Sequence, residues 1–397
     1  RRQRQMCIRD RLDSSQHSCL SWGDVAATSA GAPVEFRHVT KRYGGSAAGA
    51  VNDLSLTVPP GTICVLVGPS GCGKTTTLRM VNRLVEPSSG QVLIDGQDIA
   101  SVEPTALRRR IGYVIQQTGL FPHQTIANNV ATVPRLLHWP EERIRARVDE
   151  LLALIGLEPA KVRDRYPAQL SGGERQRVGV ARAMAADPPV MLMDEPFGAV
   201  DPIARERLQN EFLRLHRELR TTVIFVTHDI DEAIKMGDHV AVMQQGGIVA
   251  QYAAPAELLI HPASEFVARF VGADRGLKRL ALTTVADVAL EEAPTVREGE
   301  PLPAAPYCLL LDDVGHPLGW IRRQRASATA SSGEADPSSP FLTCDTSLRD
   351  ALSQLLGLAV QTGVVVDEQG RYLGVVALQT IAEALRKAIE APADVVA

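Results

Sequence analysis

Gly68-Pro69-Ser70-Gly71-Cys72-Gly73-Lys74-Thr75-Thr76 decides the fold of this chain. The stretch fits G-x-x-x-x-G-K-[ST] at every fixed position. It lies between an apolar run, Ile63-Cys64-Val65-Leu66-Val67, and a helix-like run, Thr76-Thr77-Leu78-Arg79-Met80-Val81. A buried strand before and a helix after are the context in which such a loop holds phosphate. Glycines let the backbone curl so that its N–H groups converge on phosphate oxygens. The helix start adds partial positive charge. The whole 68–76 loop is therefore assigned to nucleotide phosphates, with Lys74 reaching the β- and γ-phosphates and the Thr75 hydroxyl meeting Mg²⁺. Cys72 sits inside the loop, so its alkylation is expected to block nucleotide.

The bulk properties narrow the classes open to the chain. Its 397 residues leave room for about two or three domains. The 45% apolar content is that of an ordinary globular protein. A net charge of −4 carries no basic signature of a nucleic-acid binder, and no nucleic-acid partner is expected. No apolar run is long enough to span a bilayer, so a membrane role must come through a partner. The six cysteines are scattered without a C-x-x-C pair, which suggests free thiols in a reducing cytoplasm.

Residues 1–32 differ from the rest: they are Arg- and Ser-rich, lack periodicity and lack the apolar centre of a signal peptide. They read as a disordered tail, or as a translated sequencing adaptor around Met6-Cys7-Ile8-Arg9-Asp10-Arg11. Residues 33–272 alternate apolar strand-like runs with amphipathic helical stretches, which implies an α/β domain with a mainly parallel sheet. Glu141 to Gly156 reads as an amphipathic helix of a helical subdomain. Residues 273–280 are expected to be a linker. In the region 281–390, Leu309–Gly319 is repeated as Val364–Gly374 at a constant offset of 55 positions. Each copy reads as strand, tight Gly turn, strand, giving a small α+β domain. Arg325 to Pro340, rich in Ser, Ala, Gly and Pro, reads as a flexible linker between the copies.

A phosphate loop alone names no function; further residues do. Leu170-Ser171-Gly172-Gly173-Glu174-Arg175-Gln176 opens a helical run. Ser171 and Glu174 have capping-box spacing. Capping does not explain Gly172 and Gly173, whereas the approach of another molecule's phosphate to the backbone does. Asp194-Glu195 ends the apolar strand Val190-Met191-Leu192-Met193, at the carboxyl edge where open α/β sheets bind ligands. Asp194 is assigned to Mg²⁺ and Glu195 to the attacking water, their side chains diverging as successive strand residues do. His228 ends the strand Thr222–Thr227 at the same edge. Gln116 follows the strand-like Ile111–Ile115 and is placed to reach Mg²⁺ and water through its amide. Asp201 closes the series.

On these motifs, in this order, the chain resembles the ATP-binding-cassette (ABC) ATPases across roughly Val34 to Val271. The matching elements are the Walker A loop, the Gln loop at Gln116, the LSGGE signature at Ser171, the Walker B strand, the loop at Asp201 and the switch histidine His228. Tyr43 matches the aromatic that stacks on adenine. The resemblance implies a P-loop ATPase fold and two copies pairing head to tail. ATP lies between one copy's phosphate loop and the other's Ser171-Gly172-Gly173. It further implies integral-membrane permease subunits, contacted near Gly119-Leu120-Phe121-Pro122-His123, and a place on the cytoplasmic face of the membrane.

The region 281–390 resembles a tandem of CBS modules, with a shortened first repeat. Phe270 to Leu280 looks like the junction in ATPase subunits of glycine betaine, choline and carnitine importers, which work with an extracytoplasmic binding protein. CBS modules that bind adenosine nucleotides place Ser/Thr and Asp three apart. Here those positions hold Ala377 and Thr380 in one repeat and Arg322 and Arg325 in the other, with no acid. Subunit pairing or ionic-strength sensing is therefore expected instead of nucleotide binding. The other readings are an importer ATPase for another solute such as methionine, a soluble ATPase of translation or DNA repair, and a sensor without turnover. A single cassette speaks against the translation type. The 97 positions from Lys74 to Ser171 leave no room for the coiled coil of the repair type. Glu195 and His228 speak against the sensor.

Overall fold

The computed structural model describes residues 31–390 except 45–48, 116–118, 199, 327, 337–340 and 358–359. Its central sheet has six strands in the order Ile248–Ala253, His239–Gln244, Ile63–Val67, Thr222–Thr227, Val190–Asp194, Ile111–Val114. Only the first pair is antiparallel. The strands 63–67, 190–194 and 222–227 are buried at every residue. Strands covered on both faces carry continuous apolar runs for this reason. Alternate residues serve two cores. Val65, Met193 and Phe225 join one with the helical region 126–184. Cys64, Leu66, Leu192 and Ile224 join the other.

That second core is closed by an antiparallel sheet in the order Val51–Val58, Val34–Lys41, Ser89–Ile94, Gln97–Asp98. A mainly parallel sheet is thus correct for the centre of the domain, but the sequence reading missed this four-stranded layer. Its strand Val51–Val58 buries one face only: Val51, Leu54, Leu56 and Val58 are buried, and Asp53, Ser55 and Thr57 are exposed. Such alternation lowers the apolar density that marks a buried strand. The helix Glu141–Leu154 forms as expected: Ile144, Val148, Leu151 and Leu152 share one buried stripe, and Gly156 follows it at φ 69°.

Residues 273–280 are not a loose linker. Arg275–Leu280 is a helix, and it packs on the helices Pro255–Ile260, Leu348–Leu356 and Leu378–Glu390. Leu280 enters the C-terminal core with Leu348, Leu355 and Ile381. The two repeats are hairpins, Tyr307–Leu311 with Pro317–Arg322 and Thr362–Val366 with Tyr372–Ala377. Asp312 and Asp367 accept backbone N–H groups across the two turns, and Gly315 and Gly370 take φ of 96° and 81°. Leu309, Trp320, Val364 and Val375 form one shared cluster.

The stretch 325–340, expected as a flexible linker, is instead packed in its described part. Ala330 is only 3% exposed, and Asp336 exchanges backbone hydrogen bonds with Trp320 at 2.7 and 2.8 Å. The open edge of the first hairpin supplies the partners for this backbone, although Asp336 itself is exposed. The motif positions carry no acid, but an acid from elsewhere in the chain stands beside Thr380. Glu291, from the segment before the first repeat, accepts a hydrogen bond from Thr380 Oγ1 at 2.5 Å.

Candidate functional site

The carboxyl edge of the central sheet gathers the loop 68–76, Asp194, Glu195 and His228. Gly73 caps the helix Lys74–Val81 with φ 110°, a left-handed value that favours glycine. A Cβ there would meet the Ala50 carbonyl at 2.5 Å. Lys74 is buried, and its ammonium donates to the carbonyls of Gly68 (2.7 Å) and Pro69 (3.0 Å). The loop thus curls around the head of its own lysine, whose charge its carbonyls hold.

Thr75 begins that helix and Asp194 ends the strand 190–194. Thr75 Oγ1 donates to Asp194 Oδ1 at 3.0 Å. Asp194 Oδ2 is buried with no hydrogen-bond partner. Burial pushes the Asp194 carboxyl above the usual range, against the Thr75 hydrogen bond and the positive charges of Arg79 and Lys74. A hydroxyl, a carboxylate and an orphaned buried oxygen form the hard oxygen set that Mg²⁺ takes. The residues fit that ion.

Glu195 lies just beyond the strand with φ 47°, so its divergence from Asp194 comes from a left-handed turn and not from strand alternation. Its backbone N–H donates to Val226 O at 3.0 Å, which fixes it to the neighbouring strand. The side chain then meets His228, with Nδ1 to Glu195 Oε1 at 3.2 Å. A non-Gly residue at positive φ is uncommon, and a functional site is where such strain concentrates.

Ser171 caps the helix Gly172–Met184. Its Oγ accepts from Glu174 N–H at 3.2 Å, and Glu174 Oε2 accepts from Ser171 N–H at 2.7 Å. A Cβ at Gly172 or Gly173 would touch nothing closer than 3.9 Å, so nothing within the subunit demands glycine there. No hydrogen bond or ion pair among the described residues joins Ser171, Gly172 or Gly173 to the 68–76 loop. Tyr43 is exposed, with the Lys41 ammonium 5.1 Å from its ring centre. Asp201 caps the helix Pro202–Leu219 by accepting from Ala204 N–H at 3.0 Å. Gln116 lies outside the described residues.

A family model described as ABC transporter matches residues 51–198. The osmoprotectant import ATP-binding protein OsmV of Salmonella typhimurium (strain LT2) is 47% identical over 369 residues, covering 89% of this chain and 96% of that protein. The chain belongs to the ABC transporter family. The glycine betaine/carnitine/choline transport ATP-binding protein OpuCA of Bacillus subtilis (strain 168) is 42% identical to this ABC protein over 86% of the chain and 93% of its own length. Among solved structures, a dimeric bacterial ABC transporter cassette superposes with a TM-score of 0.52 at 32% identity, covering 56% of this chain and 98% of the cassette. The ATPase domain therefore has the P-loop ATPase fold. Nucleotide binding and ATP hydrolysis come with the family. No described helix is long and apolar enough to cross a membrane.

One expectation for this ABC protein fails. Cys72 is fully buried, its side chain in the core beneath the loop and its sulfur 3.8 Å from Lys74 Nζ. A reagent in solvent does not reach it. Only its backbone can face phosphate. Two residues near the site have no role in the sequence analysis. Gln176 is buried, with Nε2 3.5 Å from the Glu195 carbonyl, and Gln245 Nε2 donates to Ser70 O at 3.1 Å. Gln176 lies inside a helix, and Gln245 lies far away in a turn; neither has a local signal.

Proposed function

We propose that this chain is the ATP-hydrolysing subunit of an importer for quaternary ammonium osmoprotectants such as glycine betaine, choline or carnitine. Two copies pair head to tail and drive permease subunits from the cytoplasmic face of the membrane, with an extracytoplasmic binding protein delivering solute. The observation that carries the ATPase chemistry is the Thr75–Asp194 pair with its spare oxygen, set beside Glu195–His228.

Phosphoryl transfer is catalysed mainly by positioning and charge neutralisation. The loop N–H groups and Lys74 take the β- and γ-phosphates, Lys74 exchanging its carbonyl partners for phosphate oxygens. Thr75 and Asp194 hold Mg²⁺, with Gln116 as a further oxygen ligand. The ion, when bound, offsets phosphate charge. Glu195 orients the attacking water and polarises it. As the water oxygen bonds to the γ-phosphorus, its proton passes to the Glu195 carboxylate and the bond to the β–γ bridging oxygen breaks, ADP leaving with that oxygen. His228 is held by Glu195 through Nδ1, which leaves Nε2 for the γ-phosphate. Tyr43 stacks on adenine. Ser171, Gly172, Gly173 and Asp201 serve the partner copy's nucleotide, a reading supported by glycines that their own subunit does not require.

The cargo class is supported by relatives named for osmoprotectants that cover 86% to 89% of this chain, well past the ATPase domain. The C-terminal unit is read as a tandem CBS pair, in keeping with two equivalent hairpins around one core. The test is ATP hydrolysis by the chain assembled with its permease and binding protein. Wild type should be stimulated by glycine betaine, and Glu195→Gln should hydrolyse about 10²-fold or more slowly while retaining nucleotide. Equal rates for the two proteins would overturn the reading.

A further inference from the structure

Outside the site, Lys278, in the helix Arg275–Leu280, is the one charged side chain that is buried among the described residues. It is 7% exposed. Its Nζ donates to Val271 O at 2.7 Å and pairs with Asp274 Oδ1 at 3.1 Å and Asp231 Oδ1 at 3.6 Å. A buried ammonium is tolerated only with such partners, and removing one side of the group is costly.

Asp231 belongs to the first turn of the helix Ile230–Met236. That helix is capped by Asp229, whose Oδ1 accepts from Asp231 N–H at 2.9 Å and from Glu232 N–H at 3.3 Å. Asp229 directly follows His228, and its own N–H donates to Thr227 Oγ1 at 3.1 Å. The cap and its first turn therefore set where the His228 backbone points. On its other side, the Lys278 helix packs on Leu348–Leu356 and Leu378–Glu390, and Leu280 lies in their core. One side chain thus joins the C-terminal unit to the turn that carries His228.

We propose that Lys278 is a positioning residue for His228, through which the C-terminal unit sets the rate of ATP hydrolysis. This rests on the reading of His228 given above. Lys278 touches no substrate. Its effect passes through Asp231 and the Asp229 cap, so it acts on turnover and spares nucleotide affinity.

The test uses the full chain assembled with its permease, with kcat and KM for MgATP measured on Lys278→Met, Lys278→Arg and Asp231→Asn, each alone and with His228→Ala. Lys278→Met should lower kcat about fivefold to tenfold with KM within about twofold, and Lys278→Arg should recover most of the loss. In the His228→Ala background, Lys278→Met should cost nothing further. A general structural role would lower kcat equally in both backgrounds and overturn the proposal. Should Lys278→Met fail to fold, half-exposed Asp231→Asn carries the same comparison. A wild type that hydrolyses ATP alongside unchanged Lys278→Met and Asp231→Asn overturns the link alone. A wild type without hydrolysis overturns the site reading with it.

Discussion

Gly73→Ala is the sharpest probe of the phosphate loop. At φ 110° the new Cβ carries the left-handed penalty, about 1–2 kcal/mol. It also lies 2.5 Å from Ala50 O, against roughly 3.5 Å for a relaxed contact, with Gly247 Cα and Val51 Cγ2 both at 3.3 Å behind it. Ala50 cannot yield freely, because its N–H donates to Lys41 O at 2.8 Å. Overpacking of this kind adds about 1–3 kcal/mol. The total is below the roughly 5–15 kcal/mol that holds a domain folded, so the protein folds and the loop moves. A shift on the order of 1 Å at a phosphate cradle costs about 10²-fold in rate. The control is Gly96→Ala, at φ 75° in open space on the turn after Ile94, which carries the backbone penalty alone. Steady-state hydrolysis and titration with a fluorescent ATP analogue should show Gly73→Ala about 10²-fold down and Gly96→Ala near wild type. Gly73→Ala within twofold of wild type, or equal losses in both variants, would refute the described loop.

Three further outcomes follow from individual side chains. Asp194 has a raised pKa in the folded state, so its contribution to stability is complete below the unfolded value near ~4 and is lost as pH rises through the raised one. Asp194→Asn should therefore unfold at a higher temperature than wild type at pH 8 without Mg²⁺, with the gap closing towards pH 4, by calorimetry. His316 bonds Asp312 Oδ2 through Nδ1 at 2.8 Å and Gln369 O through Nε2 at 3.1 Å. Both partners accept, so both ring nitrogens must carry protons. The Asp312 carboxylate raises the His316 pKa, so the clasp is complete below about 6.5 and lost as pH rises through the higher folded value. The His316 ring signal in NMR should titrate above 6.5, and His316→Gln should remove the loss of stability that sets in as pH rises above about 6.5. Among the described cysteines only Cys344 is exposed. A maleimide should label it ahead of Cys64, Cys72 and Cys308, by mass spectrometry of peptides, with hydrolysis unchanged.

Much of the site is legible in the sequence because chemistry and backbone agree there. A phosphate loop needs glycines at set positions between a strand and a helix, and each of those requirements is local. Asp194 and His228 are legible because each follows a continuous apolar strand, and parallel pairing then brings the strand ends to one edge. What escaped depends on contacts distant in sequence. Cys72 is buried in a core gathered from residues as distant as Val34 and Met243. The left-handed turn at Glu195 depends on its hydrogen bond to Val226. The helix at 275–280 holds a buried lysine whose partner, Asp231, lies far upstream. The antiparallel layer was hidden because half-buried strands look like loops to a reading that seeks apolar runs. Glu291 reaches Thr380 only after the hairpins have folded.

The central claim is that nucleotide is trapped between two copies of this chain, and mass in solution tests it directly. Light scattering on Glu195→Gln with MgATP should give the mass of two chains, falling to one when Ser171→Arg is added or MgATP is withdrawn. A single-chain mass under saturating MgATP, with the permease present or absent, would contradict the account.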